Sequence, residues 1–483
     1  MLLIYYRTFF FFLFLLNFSC HQEYSITPIE PVPTPRQEAW QALEYYGFIH
    51  FNMNTFTNKE WGYGDEQPSQ FNPKALDTDQ WAQIIKEAGM KGIIITAKHH
   101  DGFCLWPSAF TEHSVKNSPW REGKGDLIKE LAASCRKFGL KLGIYLSPWD
   151  RNYASYGTAE YITYFRNQLT ELLTNYGPIF EVWFDGANGG DGYYGGANKE
   201  RRVDKKSYYD WPTTHELVRK WQSQAVIFSD AGPDIRWVGN EKGYASETTW
   251  SPIFRDSVYG GMPDFHRFSN GQENGTHWIP TETDVSIRPG WYYHPEEDNQ
   301  VKSIEKLVDI YFNSVGLNSS LLLNIPVDDR GLIHENDEEK LLQLGAFIEE
   351  AFNQNVLKEG KVNSVLPQSS YDPLNLIDGD PETYWASNKD SKPAVITLSP
   401  QSPQKATIFE IREHLPFGQR VKAFQLELKT NGEWKTIKQG TTIGNKRLIR
   451  FDPIEVEALR FTIFESKAAP VISEIGLYLE PKL

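Results

Sequence analysis

Short apolar runs alternate with longer amphipathic stretches through most of this chain, and that alternation limits its fold more than any other feature. The runs are Tyr45–Phe51 (YYGFIHF), Gly92–Ala97 (GIIITA), Leu140–Ser147 (LKLGIYLS), Val182–Phe184, Ala225–Ser229 (AVIFS) and Ser320–Asn324 (SLLLN). Between them the apolar spacing predicts helices over Asp79–Ala88, with Gly89 as its stop, then Asp126–Phe138, Tyr161–Tyr176, Thr213–Gln222 and Asn299–Asn313. Strands rich in Ile, Val and Leu with helices between them call for a parallel sheet covered on its faces. So many repeats of the unit favour a closed (β/α)8-like barrel over an open sheet. Gly239–Pro289 has no such pattern and reads as long loops on the barrel top.

In a parallel barrel the C-terminal ends of the strands form the lip from which reactive side chains emerge. The segment EVWFDGANGG, Glu181–Gly190, places Asp185 on that lip with Gly186 directly after it. Asp-Gly is also an ordinary turn pair, so Asp185 alone would prove little. Other strand ends add to it: His50 after the first run, His99-His100-Asp101 after the second, Tyr145 on the third and Trp183 beside Asp185. Such a set defines one polar pocket at the C-terminal face. Neighbouring side chains on an extended strand point to opposite faces. His99 and His100 are therefore expected to bond hydroxyls rather than chelate one metal ion, and no Cys/His spacing resembles a zinc site.

The chain has 483 residues, enough for a large domain and a smaller one. Its net charge of −14 argues against nucleic acid, which needs a basic face. The 15 Trp, 24 Tyr and 29 Phe suit surfaces that stack on flat apolar faces such as those of sugar rings. The first 20 residues, MLLIYYRTFFFFLFLLNFSC, are a short apolar run behind Arg7 and read as a secretory signal. Ser19-Cys20 resembles a bacterial lipoprotein cleavage site, with Asn17 departing from the usual pattern; a lipid anchor on Cys20 and a periplasmic or outer-membrane location are expected. Residues 21–38, rich in Pro, read as a tether, and 39–353 as the barrel domain ending in the helix Glu335–Asn353. Residues 358–483 change to short alternating segments with turn signals, the pattern of an antiparallel β-sandwich. Cys104 and Cys135 read as two separate buried thiols.

The strings GFIHF, EWGYGDE, TAKHHDGF, GIYLSPWD, VWFDG, GPDIRWVGNE, RPGWYYH and LLLNIPVDDRGLIHEND resemble, in order, the α-L-fucosidases of glycoside hydrolase family 29. GNE and IRPGWYYH are most similar to the branch that acts on α-1,3/1,4-linked fucose of Lewis-type glycans. The resemblance implies a retaining mechanism without a catalytic cofactor, in which two carboxyl groups stand about 5–5.5 Å apart. Asp185 matches the nucleophile. Glu241, Glu247, Glu273 and Glu282 are candidates for the acid/base; the resemblance favours Glu241, with Glu247 next. It further implies that His50, His99 and His100 bond the sugar hydroxyls, with Glu60, Trp61 and Tyr145 beside them. Trp183 and Trp291 would face the methyl group and ring, and Arg236 would contact the ring region near the acid/base. The C-terminal segment resembles discoidin-type sandwiches through Asn375–Asp380, Thr383 and Trp385, which implies a sugar-binding or buttressing module and a structural Ca²⁺ at its Asp-Gly-Asp loop. Three other readings compete: a broad-specificity fucosidase, an α-L-galactosidase, and a fucose-binding protein without turnover.

Overall fold

A computed structural model describes residues 26–366, 371–387 and 393–483; the leader and Cys20 lie outside them. Eight parallel strands close into a barrel. They are β1 (Tyr45–His50), β2 (Gly92–Lys98), β3 (Lys141–Leu146), β4 (Ile179–Trp183), β5 (Val226–Ser229), β6 (Ile235–Trp237), β7 (Thr281–Ser286) and β8 (Ser319–Pro326). β1 closes the ring, pairing with β2 on one side and β8 on the other, with Tyr45 opposite Leu321 and Ile49 opposite Ile325. Every apolar run became a strand, and the expected helices form between them with ends displaced by a few residues. Their starts are set by side-chain caps: Asp77 accepts from the backbone of Asp79 and Gln80, and Asp126 from that of Lys129.

Two strands break the expectation. β6 follows β5 without an intervening helix, and β7 lies inside the stretch read as loop. The sequence TETDVS is too polar to announce a buried strand, yet every residue of it is buried. Its carboxyl groups find donors inside the barrel: Tyr46 Oη and Trp183 Nε1 for Glu282, Trp237 Nε1 for Asp284. A strand with polar residues on its inward face is stable when that face meets polar partners, and apolar periodicity then has nothing to detect.

The described part of the expected tether is fastened to the sandwich. Ile29 donates its backbone N–H to Phe417 of the sandwich at 3.0 Å, and Arg420 donates to the Thr27 carbonyl at 2.7 Å. A helix starts at Pro35 with Pro at its first position, where the missing N–H costs nothing. It carries Trp40 into the foot of the barrel, where Trp40 and Leu43 join Tyr46, Phe48, Ile94, Val226 and Leu322 in the inner core. Burying that indole contributes about 2–3 kcal/mol. The extended, Pro-rich composition reads as a linker because it has no periodicity, although Thr27 and Ile29 are hydrogen-bonded to the sandwich here.

The sandwich pairs a five-stranded and a four-stranded antiparallel sheet over a core that includes Trp385, Phe409, Phe424 and Phe461. In its Asp-Gly-Asp loop, Asp378 accepts from Asp380 N and Thr383 Oγ1, and Asp380 from Glu382 N. These carboxylates act as turn acceptors, and no cluster of three or more His, Cys, Asp or Glu able to hold a metal ion occurs among the described residues. Cys104 and Cys135 are separate and buried.

At the domain junction Glu44, just before β1, pairs with Lys446 and Arg412 of the sandwich. The two cations overcome burial and hold the Glu44 carboxyl at about 2, against an ordinary value of 4.5. A depressed carboxyl stabilises the fold above its unfolded pKa and loses that contribution as pH falls through the folded one. Glu44→Gln is therefore expected to destabilise the protein by about 2–3 kcal/mol at pH 7, with the gap from the parent narrowing below pH ~4.5. Urea unfolding of both proteins across that range is the check; a gap constant with pH would refute it.

Candidate active site

The barrel top opens into one cavity of about 260 Å³ lined by residues from strand ends and the loops that follow them. Asp185 sits at the end of β4. Tyr145 from β3 donates its hydroxyl to Asp185 Oδ2 at 2.9 Å, and the Ala187 backbone N–H donates to Oδ1 at 2.7 Å. Burial pushes its pKa up, and these two donors oppose the rise. Gly186 is needed because a Cβ there would overlap the Asp230 carboxyl, which accepts the Gly261 N–H at 2.7 Å. Asp230 itself is pushed up to about 6 by burial, with the Asp185 charge adding to the shift.

His50, His99 and His100 all line this cavity, and the ring centroids of His99 and His100 are only 4.1 Å apart. The expectation that they face opposite ways fails because β2 ends at Lys98, so the alternation of an extended strand no longer applies. Their hydrogen bonds fix their tautomers. The Asn324 amide donates to Ser286 Oγ and the Trp291 carbonyl, so its oxygen faces His50 Nδ1 at 2.7 Å and His50 must donate there. The Ser147 hydroxyl donates to the Trp149 carbonyl, so it accepts from His100 Nδ1 at 2.7 Å. Asn54 Nδ2 reaches His99 Nδ1 at 3.3 Å as a donor, which makes His99 the opposite tautomer. Two imidazoles thus keep an accepting Nε2 and one a donating Nε2–H, a set matched to neighbouring hydroxyls. Burial lowers all three pKa values, to about 4 for His50 and about 3 for His100, so the rings are neutral at pH 7. His100 Nε2 lies 3.7 Å from Asp185 Oδ2.

Of the four Glu candidates, only Glu241 reaches the cavity. Glu247 is bound to Arg447 and Lys438 of the sandwich, and Glu273 to Lys422. Glu282 is enclosed in the barrel interior. Glu241 stands exposed at the mouth and accepts the Trp291 indole N–H at 3.3 Å. Crowding by protein raises its pKa, and the Asp185 and Glu60 charges raise it further. This is the direction an acid needs to stay protonated near neutrality.

Glu60 accepts from Trp291 N, Tyr292 N and His294 Nε2, at 3.0, 3.1 and 2.7 Å, and so latches the loop after β1 to the loop after β7. Trp61 forms the rim, 52 % exposed and edge-on to His100 and Trp149. Trp183 stacks on Phe228 with centroids 4.1 Å apart, and Tyr145 stacks on its other neighbour side at 5.2 Å. Trp291 and His50 lie 5.3 Å apart. Arg236 does not fit the expectation. It is fully buried in the barrel wall, does not line the cavity, and donates to the carbonyls of Trp250, Ser251 and Ile279. The resemblance implies a sugar contact for it; here the carbonyls of the neighbouring loop take the guanidinium instead.

Phe48, Phe228, Asp230, Trp237 and Asp284 line the cavity unannounced. Asp230 had a legible signal, since Phe228-Ser229-Asp230 repeats the strand-then-Asp form of Asp185. Asp284 had none, because its strand went unread.

A family model described as "Alpha-L-fucosidase" matches residues 32–352, and one described as "F5/8 type C domain" matches residues 361–475. "Alpha-L-fucosidase 1" of Arabidopsis thaliana is 42 % identical over 461 residues, covering 94 % of this chain and 88 % of the plant protein. A glycoside hydrolase 29 family member from an unknown rumen bacterium has a crystal structure with 46 % identity and TM-score 0.85, over 94 % of this chain and 78 % of that one. A Ruminococcus gnavus GH29 fucosidase solved in complex with fucose is 32 % identical with TM-score 0.85, over 95 % and 97 % of the two chains.

Proposed function

The chain belongs to the α-L-fucosidases of glycoside hydrolase family 29, and from that premise we propose that it removes terminal fucose with retention of configuration through a covalent intermediate on Asp185. The observation that carries this reading is the pairing in one small cavity of Asp185, held by two donors, with Glu241, an acid of raised pKa at the mouth. The cavity has room for one sugar ring, which fits an enzyme acting on chain ends. The Ruminococcus relative, solved with fucose, supports placing the same sugar here.

In the first step an Asp185 oxygen forms a bond to the anomeric carbon while the bond to the glycosidic oxygen breaks. Glu241 gives that oxygen its proton, so the aglycone leaves as an alcohol. Glu241, now a carboxylate, then takes a proton from water. The resulting hydroxide character attacks the same carbon from the face the aglycone left, and Asp185 is released. Tyr145 O–H and Ala187 N–H hold the carboxylate in place before the first step and take up its charge after the second. The three neutral imidazoles bind the ring hydroxyls, and the Trp183 and Trp291 rings offer apolar contact to the methyl group and ring edge.

For substrate, the reading is α-1,3/1,4-linked fucose on branched Lewis-type glycans, supported by the GNE and RPGWYYH strings that place Glu241 and Trp291 at the mouth. For location, it is export with a lipid anchor on Cys20, supported by the apolar leader ending in Ser-Cys. The first test is parallel digestion of a Lewis X or Lewis A trisaccharide, 2′-fucosyllactose and an aryl fucoside. Fucose is expected from the Lewis sugar and not from 2′-fucosyllactose. Equal release from both would move the protein to the broad-specificity branch, and release from none would leave a binding protein.

A further inference from the structure

Beneath the cavity floor the barrel encloses two carboxyl groups with no cation beside them. Glu181 lies two residues before Trp183 on β4, so both point inward, and Glu282 projects from β7 opposite. Both are fully buried. Their side chains hydrogen-bond to each other, which requires one of them to carry a proton. The surrounding donors identify which. Glu282 receives Trp183 Nε1–H at 2.8 Å on Oε1 and the Tyr46 hydroxyl on Oε2. Glu181 receives Trp40 Nε1–H at 2.9 Å on Oε2 and lies beside the same Tyr46 hydroxyl, whose one hydrogen goes to Glu282, and its Oε1 has no donor. An oxygen without a donor is the one free to hold the hydrogen, so Glu181 is the acid and Glu282 the anion with three donors converging on it.

We infer that Glu282 is a positioning residue for the Trp183 ring in the cavity wall, acting as a buried carboxylate that anchors the indole, while Glu181 supplies the shared proton. The argument rests on the fucosidase reading given above. The Trp183 ring lines the cavity with Asp185 two residues on, and it is sandwiched against Phe228 in nearly parallel planes. Stacking alone fixes the plane of the ring but leaves it free to slide within that plane. The bond from its N–H to a charged acceptor fixes the remaining freedom. Trp40, rising from the helix at the barrel foot, ties the dyad to the plug below.

The dyad predicts an asymmetry that simple packing does not. Glu181→Gln keeps a hydrogen donor toward Glu282 and should retain kcat/KM for an aryl fucoside within about threefold. Glu282→Gln turns an NH₂ toward groups that are themselves donors and should lower it about 30-fold, the usual effect of losing a hydrogen bond to a charged group. Infrared difference spectra at pH 7 should show a protonated-carboxyl C=O band lost in Glu181→Gln and kept in Asp185→Asn. If Glu282→Gln does not fold, Trp183→Phe, which keeps a ring but no N–H, should reproduce the loss. Equal effects of the two Gln variants, no lost carboxyl band in Glu181→Gln, or parental activity in Trp183→Phe would each overturn the inference. A parent enzyme inert on the aryl fucoside would instead count against the fucosidase reading, while the infrared comparison would still decide whether the proton is shared.

Discussion

Asp185→Ala is expected to lower kcat/KM at least about 10⁴-fold on every fucoside while leaving the fold and melting curve close to the parent, because in the proposed mechanism the residue forms and breaks the bond at the anomeric carbon. Its two partners survive the change: Tyr145 O–H and Ala187 N–H lose an acceptor at a place where the side chain is 24 % exposed and water can replace it. The vacated space lets azide approach the anomeric carbon of an activated fucoside from the same face. Azide should therefore restore part of the rate and yield a fucosyl azide of inverted configuration, identified by NMR. Retained activity in Asp185→Ala without added nucleophile would rule the residue out.

Glu241→Ala should divide substrates by leaving group. A natural glycan needs the proton at its departing oxygen and should lose about 10²–10⁴-fold, whereas an aryl fucoside with an acidic phenol needs little help in the first step. Azide should here yield the retained fucosyl azide, since it intercepts the Asp185 intermediate in place of water. The pH profile carries a second signature. With Glu241 as the proposed acid, the parent rate on a natural glycan should fall on the alkaline side as Glu241 gives up its proton, and the raised pKa should move that fall upward from the ordinary carboxyl range. On the acid side the rate should fall as Asp185, the proposed nucleophile, is protonated, at a pH also raised by burial. Glu241→Ala should lose the alkaline limb and keep the acid one. An unchanged alkaline limb would mean that another group supplies the proton.

The parts of the fold legible from the chain were those built from apolar periodicity. GIIITA, LKLGIYLS and SLLLN could hardly be anything but buried strands, and the capped helices between them fix a parallel sheet. β7 was illegible for the opposite reason: its inward residues are Glu282 and Asp284, whose partners come from strands far away in sequence. A hydrogen bond made across a barrel leaves no trace in the local pattern. The same holds at the site. Asp185 and the histidines stand at ends of strands that could be read, and the structure brings them together. The strand beginning at Ile235 was too short to read, and Arg236 upon it was given a direction that local sequence does not determine. Choosing among four Glu residues needed the resemblance and then the packing of the second domain, which occupies two of them.

That occupation bears on how this protein can change. A few residues beyond Glu241 the chain is fastened to the sandwich: Arg447 holds Glu247, Thr442 Oγ1 accepts from Thr249 N, and Gln419 accepts from Ser251 N. One end of the segment bearing Glu241 is thus clamped by a domain none of whose described residues lines the cavity. The two domains are consequently poor interchangeable modules. A barrel recombined with a foreign sandwich would keep Asp185, which hangs from β4, but would inherit a Glu241 whose aim was set by another surface. Drift in the sandwich face is therefore coupled to drift in the mouth, and substitutions on either side of that seam should be accepted in pairs rather than singly.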